Sequence, residues 1–222
     1  MSTPTYVSQQ VSLIFNAGGD SRRMGTPKPL LPTPPDGRPL LRHMLERLSE
    51  HPWLQTMVVA NEPSWRAQLG LPDDVIYVAD AFPGMGALGG IATGLQLCAG
   101  WALVLAADMP LVNPDLCEWL CRQALAPGQD PPPDVVMPVV GGKAQPFHAL
   151  YHRRSLPVIQ TQLDRGERMA VRFLSDVNTR FVAEEELQRV NPDLHSFVNA
   201  NTPEEWVAAL ELLRAESGAT ER

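Results

Sequence analysis

The sequence predicts an α/β protein, a three-layer αβα sandwich built around a mostly parallel sheet. Three observations predict it: short apolar, β-rich runs occur in the first half, helical spacing separates them, and the runs are almost continuously apolar rather than alternating. Parallel neighbours need a crossover connection, so strands that alternate with helices favour a parallel sheet. Strands with a near-continuous apolar sequence are covered on both faces, which requires helices on each side.

The predicted strands of the first half are VSLIFNA at 11–17, MVVA at 57–60, VIYVA at 75–79 and ALVLAA at 102–107. Helical spacing occupies the intervals between them, in LLRHMLERL from Leu40, SWRAQL from Ser64 and LGGIATGLQLC from Leu88. A further helix, LCEWLCRQAL, follows Asn113 and Pro114, which suit an N-cap and a first helical position. Each predicted strand is therefore followed by a predicted helix.

The second half begins with a proline-rich loop, APGQDPPPD at 126–134. This loop is too short to mark a domain boundary, so we expect a surface connection. VVMPVV is then predicted as a strand, GGK at 141–143 as a hairpin turn before FHALY, and the stretch from about Leu156 to Arg165 as a helix.

The C-terminal helix is predicted from a capping signature. Thr202 suits the N-cap, Pro203 the first helical position, and Glu205 can reach back to the cap amide. The apolar residues predicted to line its buried face are Trp206, Val207, Leu210 and Leu213.

Length and composition limit the class of protein. With 222 residues and 44% hydrophobic content, we expect one domain over residues 1–222. The net charge of −7 disfavours a nucleic-acid binder. The polar start, MSTPTYVSQQ, lacks signal-peptide features and no apolar run approaches membrane-spanning length, so we expect no membrane partner and a soluble cytoplasmic protein.

The cysteines are Cys98, Cys117 and Cys121. Their number is odd, and two of them lie four residues apart inside a predicted helix, so a disulfide framework is not expected. No His or Cys stands nearby at metal-ligand spacing. We therefore predict ordinary buried thiols.

Polar residues follow the predicted strands where each of them ends. These residues are Asn16, Gly18 and Gly19 after the first strand, Asn61 after the second, Asp80 after the third and Asp108 after the fourth. Each alone could form a turn or cap a helix. Because ligands of open α/β sheets bind beyond the carboxyl ends of the strands, the set together predicts a site.

The loop NAGGDSRRMGTPKPLL at 16–31 has the chemistry to hold phosphate. Gly18 and Gly19 let backbone amides approach an anion, and Arg23 and Lys28 add positive charge, whereas Arg22 suits a solvated loop face. The loop matches neither the Walker A pattern nor the dinucleotide GxGxxG spacing, so a dehydrogenase is disfavoured.

Asp108, in AADMPLV, is the predicted Mg²⁺ ligand. A carboxylate in an apolar setting needs a partner, and Mg²⁺ that bridges substrate phosphates needs only one or two carboxylates. The alternative, a helix cap, is disfavoured because Asn113 fills that role.

The loop AGGDSRRMGTPK resembles the AGG-x-S-x-RMG-x-x-K signature of the molybdenum cofactor guanylyltransferase family, within the Rossmann-like nucleotidyltransferases. The resemblance continues along nearly the whole chain. The further matching segments, in family order, are GRPLLRHMLERL, GMGALGGIATGL, AADMPL, QPFHALYHRRSLP, GERMAVRFL and FVNANTPEEW.

The resemblance implies a Rossmann-like sheet and Mg²⁺-dependent transfer of GMP from GTP to the terminal phosphate of molybdopterin, with release of pyrophosphate. It implies a nucleotide-binding half at about 8–112 and an acceptor side at about 135–216. It also implies transient contacts with proteins that deliver or accept the cofactor. The residues to which it assigns roles are Asn16, Ala17, Gly18 and Gly19 in the nucleotide loop, Lys28 and Arg23 at the phosphates, Asn61 and Asp80 at the base and ribose, Asp108 at Mg²⁺, and Asn199 and Asn201 on the pterin side.

Two departures from the family pattern stand out. Asn16 replaces the usual apolar residue before AGG, and Pro27 stands where an aspartate commonly precedes Lys28. The alternatives are CMP transfer from CTP, nucleotidyl transfer to another phosphorylated acceptor, and a silent nucleotide-binding module, which the presence of Asp108 and Lys28 disfavours. His148 is expected in the core or on the surface rather than in the cleft.

Overall fold

The chain is described by a computed structural model over residues 6–18 and 25–220, with side chains up to residue 216. The strands are β1 Val11–Asn16, β2 Pro32–Thr33, β3 Arg38–Pro39, β4 Gln55–Val59, β5 Ile76–Val78, β6 Trp101–Ala106, β7 Val135–Val140, β8 Lys143–Ala144, β9 His148–His152 and β10 Thr179–Val182. The helices are α1 Leu40–Leu48, α2 Trp65–Gln68, α3 Gly86–Gln96, α4 Pro114–Leu125, α5 Leu156–Asp164, α6 Glu184–Gln188 and α7 Pro203–Thr220.

The central sheet has the strand order β10-β7-β9-β6-β1-β4-β5, with β8 paired to β7. Strand β1 pairs in parallel with β4 and β6, β4 with β5, and β7 with β10. Strand β9 runs antiparallel to both β6 and β7. The mostly parallel sheet predicted from the sequence is confirmed. Because the chain leaves β1 for β4 and β5 on one side and returns to β6 on the other, β1 and β6 form a topological switch point.

Helices cover both faces of the sheet, as predicted. Along β1, Leu13 and Phe15 pack into a buried cluster with α1, α4 and the start of α7. Ile14 points to the opposite face and packs against α3 and α5. This alternation is that of a strand covered on both sides, so the three-layer αβα arrangement is confirmed.

The C-terminal helix begins as the sequence predicts. The Glu205 amide donates to Thr202 Oγ1 at 3.2 Å, and Glu205 Oε2 accepts from the Thr202 amide at 3.2 Å and from the Asn201 amide at 2.7 Å. The predicted buried face is wrong at one position, because Val207 is 55% exposed. Ala209, fully buried, takes that place, since it lies three residues after Trp206 and shares its face.

Smaller sequence predictions also hold. The Leu116 amide donates to Asn113 Oδ1 at 2.8 Å, so Asn113 caps α4. Residues Val140 and Lys143 pair across the predicted hairpin turn. The three cysteines are buried free thiols. Within the described part of the chain, no helix has both the length and the apolar character needed to cross a membrane.

Candidate active site

A cavity of about 290 Å³ opens at the carboxyl ends of β1 and β6. This is the crevice of the topological switch point, where open α/β sheets bind their ligands. Its lining residues are Asn16, Ala17, Lys28, Pro29, Ala87, Ala106, Ala107, Asp108, Phe147, Asn199 and Asn201. The structure therefore brings six of the predicted site residues together: Asn16, Ala17, Lys28, Asp108, Asn199 and Asn201.

Lys28 contacts two residues inside this cavity that are distant from it in sequence. It begins a 3₁₀ turn, and its Nζ lies 2.7 Å from Asp108 Oδ2 and 2.6 Å from Asn201 Oδ1. The Lys28 and Asp108 side chains are only 18% and 15% exposed. A charge-assisted contact in so sheltered a place is screened less than one on the surface. Lys28 is thus a fixed cation at the centre of the cavity.

Two oxygen atoms in the cavity are buried without a hydrogen-bond partner among the described residues. They are Asp108 Oδ1 and Asn199 Oδ1. A buried acceptor without a partner is unfavourable, which points to a ligand that satisfies it. Carboxylate and amide oxygens suit Mg²⁺. The described residues bring no three His, Cys, Asp or Glu side chains into one cluster, so a metal here would share its coordination with phosphate and water.

Residues 195–201, here called the C-terminal wall, close the cavity on the far side. The Ala200 amide donates to the Asp108 carbonyl at 3.2 Å, next to the two asparagines that enter the cavity. Ser196 Oγ accepts from the Asn113 amide at 2.9 Å. These contacts fix the wall to the residues that follow β6, although about ninety residues separate the two in sequence.

His148 supports the C-terminal wall from beneath. Its ring is fully buried, and Nδ1 lies 3.2 Å from the Ser196 carbonyl, so Nδ1 carries the proton and donates. Nε2 then faces Cys117 Sγ at 3.7 Å. Burial lowers the pKa of His148 to about 4, against the opposing hydrogen bond to Ser196. His148 is a neutral core residue, and the core is one of the two locations that the sequence predicts for it.

Asn61 and Asp80 lie together, but they do not line the cavity with Lys28. Asn61 Oδ1 accepts from the Asp80 amide at 2.9 Å. Asp80 Oδ1 accepts from Thr93 Oγ1 at 2.8 Å and from the Phe82 amide at 2.9 Å. These bonds hold Asp80 against the flank of α3, and its role toward base or ribose stays a prediction.

Of the three remaining predicted site residues, the structure describes only Gly18. Gly18 is the last residue described before residue 25. The amide of the preceding residue, Ala17, donates to the Val59 carbonyl at 2.9 Å. Gly19 and Arg23 lie outside the described residues.

Sequence reasoning missed Phe147, Pro29 and three alanines of the lining. Small and apolar residues carry no chemical signal, and only the position of QPF before β9 could have suggested Phe147.

The fold and this site define a nucleotidyltransferase of the Rossmann-like class. The chain belongs to the MobA-like NTP transferase domain family, whose model matches residues 14–180. The molybdenum cofactor guanylyltransferase of Syntrophotalea carbinolica is 32% identical over 196 residues, which cover 88% of each chain. That of Vibrio campbellii is 33% identical over 199 residues, covering 88% of this chain and 93% of its own.

A solved structure gives the same result for the fold. Molybdopterin-guanine dinucleotide biosynthesis protein A from Archaeoglobus fulgidus superposes with a TM-score of 0.79 at 25% identity. The superposition covers 92% of this chain and 100% of that one. The chain is therefore a nucleotidyltransferase enzyme.

Proposed function

We propose that this enzyme transfers GMP from GTP to the terminal phosphate of molybdopterin in a reaction that requires Mg²⁺. One observation carries the proposal: Lys28 Nζ lies 2.7 Å from Asp108 Oδ2, while Asp108 Oδ1 has no partner among the described residues. A cation and an open carboxylate oxygen are the groups that a magnesium triphosphate needs. The names of the relatives supply guanine and the molybdenum cofactor.

The reaction is a phosphoryl substitution without a covalent enzyme intermediate. A terminal phosphate oxygen of molybdopterin forms a bond to the α-phosphorus of GTP. The bond from that phosphorus to the oxygen bridging to the β-phosphate breaks, and pyrophosphate leaves with the electron pair. Such chemistry depends on positioning and on charge stabilisation.

The chain's own residues supply both. Ala17 lines the cavity where the nucleotide loop begins, and Lys28 presents a positive charge to the phosphates from within the cavity. Asp108 Oδ1 would hold Mg²⁺, with Asn199 Oδ1 as a second oxygen ligand. When bound, Mg²⁺ neutralises charge on the triphosphate oxygens. Asn201, on the C-terminal wall, would face the acceptor.

The experiment is a panel of the four nucleoside triphosphates, each labelled with ³²P at the α-phosphate. Each is incubated with the enzyme, molybdopterin and Mg²⁺. The labelled acceptor and the unlabelled pyrophosphate are then measured separately. We expect transfer from GTP alone, abolished by a chelator. Transfer from CTP would establish the cytidylyl alternative. Thermal stabilisation by nucleotide with no transfer from any of the four would establish a silent binding module.

A further inference from the structure

Asn16 is a polar side chain at a place where the sheet is otherwise apolar. The preceding residues of β1, Leu13 to Phe15, are completely or almost completely buried, whereas Asn16 lines the cavity. An amide in such surroundings needs hydrogen-bond partners. Asn16 Nδ2 donates to the Ala87 carbonyl at 2.9 Å, on the first turn of α3. Asn16 thus connects the strand that enters the nucleotide loop with the helix across the cavity.

Gly90, on α3, provides the space for this side chain. A Cβ placed on Gly90 would lie 2.4 Å from Asn16 Oδ1 and 2.6 Å from both Cγ and Nδ2. These distances are far inside van der Waals contact, so any larger residue at position 90 would displace the amide. Glycine inside a helix is unfavourable, and here the Asn16 side chain explains its presence.

The orientation of the amide follows from the first contact. The Ala87 carbonyl only accepts hydrogen bonds, so Nδ2 must face it and Oδ1 must face the other way. On that other side lies the Gly18 amide, 3.5 Å from Oδ1. One side chain therefore contacts both α3 and the first glycine of the loop.

We propose that Asn16 is a positioning residue that holds the start of the nucleotide loop against α3, and that Gly90 leaves the space that its side chain occupies. This inference rests on the proposed function, because the ligand of the loop is taken to be a nucleoside triphosphate. Substitution of Asn16 weakens nucleotide binding, since the loop backbone loses its fixed distance from the helix. The acceptor lies toward the C-terminal wall and is affected little.

The test combines binding and unfolding. Titration calorimetry with GTP and Mg²⁺ should give a Kd about tenfold higher for Asn16→Leu and for Gly90→Ala, and the KM for molybdopterin should stay within twofold. In urea, Gly90→Ala should lower the unfolding midpoint in the wild-type chain. The same substitution should have little effect in the Asn16→Ala background, where the clash is removed.

Two control variants separate this account from general strain. A Cβ on Gly94 would meet Ile14 Cδ1 at 2.5 Å, and its three nearest atoms all belong to Ile14, so Gly94→Ala should be equally destabilising in both backgrounds. A Cβ on Gly100 would meet nothing within 4 Å, so Gly100→Ala should be silent.

Unchanged GTP affinity in Asn16→Leu and Gly90→Ala would overturn the inference while leaving the proposed function intact. Equal destabilisation by Gly90→Ala in both backgrounds would also overturn it. A wild-type chain that binds none of the four triphosphates would overturn the proposed function and this inference together.

Discussion

The two sides of the cavity are held in different ways. On the nucleotide side, the end of β1 meets the first turns of α3. Asn16, whose side chain packs against Gly90, makes the connection. On the other side, the C-terminal wall is held by Asn113, by buried His148 and by the Asp108 carbonyl, all distant from it in sequence. Both sides depend on tertiary contacts, but the first is held by one side chain packed against a glycine and the second by several hydrogen bonds along the wall. The two sides meet at Lys28 and Asp108.

Removal of the Asp108 carboxylate should have the largest effect, because the two sides of the cavity meet at its ion pair with Lys28. Asp108→Ala should lower kcat for GMP transfer about 1,000-fold, the scale expected when a preorganised electrostatic group is removed. Pyrophosphate release measures the rate. Asp73→Ala, which removes an exposed carboxylate elsewhere, is the control. A rate equal to that of the wild type would show that Asp108 is not part of the machinery.

Acid should weaken the C-terminal wall through His148. Its pKa falls from an ordinary 6.5 to about 4 on folding, so between these values the unfolded chain binds the extra proton and the native one does not. The stability contribution is complete above about pH 6.5 and is lost as the pH falls toward 4, by about 3 kcal/mol. Urea unfolding against pH, compared with His148→Phe, isolates this contribution. Parallel curves for the two proteins would refute it.

Asn199→Ala tests whether the second unpartnered oxygen serves the metal. We expect the Mg²⁺ concentration for half-maximal transfer to rise about tenfold, the scale found when partners of a metal site are removed. Asn201→Ala is the matched comparison, because its amide contacts Lys28 Nζ. It should leave the Mg²⁺ requirement within twofold. The same Mg²⁺ dependence in Asn199→Ala and the wild type would remove Asn199 from the metal site.

The smallest effect is expected at the cap of α7, which follows the C-terminal wall. Thr202→Ala removes the hydroxyl that accepts from the Glu205 amide and should lower the free energy of unfolding by about 1 kcal/mol. Thr161→Ala, in an exposed helical position with its hydroxyl bonded to the Pro157 carbonyl, should not destabilise. Equal losses in the two variants would mean that the cap contributes nothing specific.

The comparison also explains what the sequence could predict. The strands, the α4 cap and the α7 cap follow from local patterns, and the structure confirms them. The strand-end rule brought Asn16 and Asp108 to one cavity. The same rule suggested that Asp80 would join them, yet the Thr93 hydroxyl holds its carboxylate against α3. Side-chain partners of this kind depend on packing, which periodicity does not contain.

The C-terminal wall was the least accessible to prediction from the residues alone. Asn199 and Asn201 are identified only through a family resemblance. The contact of Asn201 with Lys28 joins residues that are far apart in sequence, which local patterns do not reveal. The sequence predicts His148 in the core or on the surface, but its bond to Ser196 depends on the position of β9 beside the wall. The error at Val207 is of another kind, since a local helical count suffices to place Ala209 on the buried face instead.

The most direct test of the account is the rate of pyrophosphate release from GTP with Mg²⁺ and molybdopterin in Lys28→Met. The control is Lys143→Met, which removes the other lysine of the chain at an exposed position. We predict a loss of about 100-fold for Lys28→Met and the wild-type rate for Lys143→Met. A wild-type rate in Lys28→Met would contradict the claim that the two sides of the cavity form one active site around Lys28.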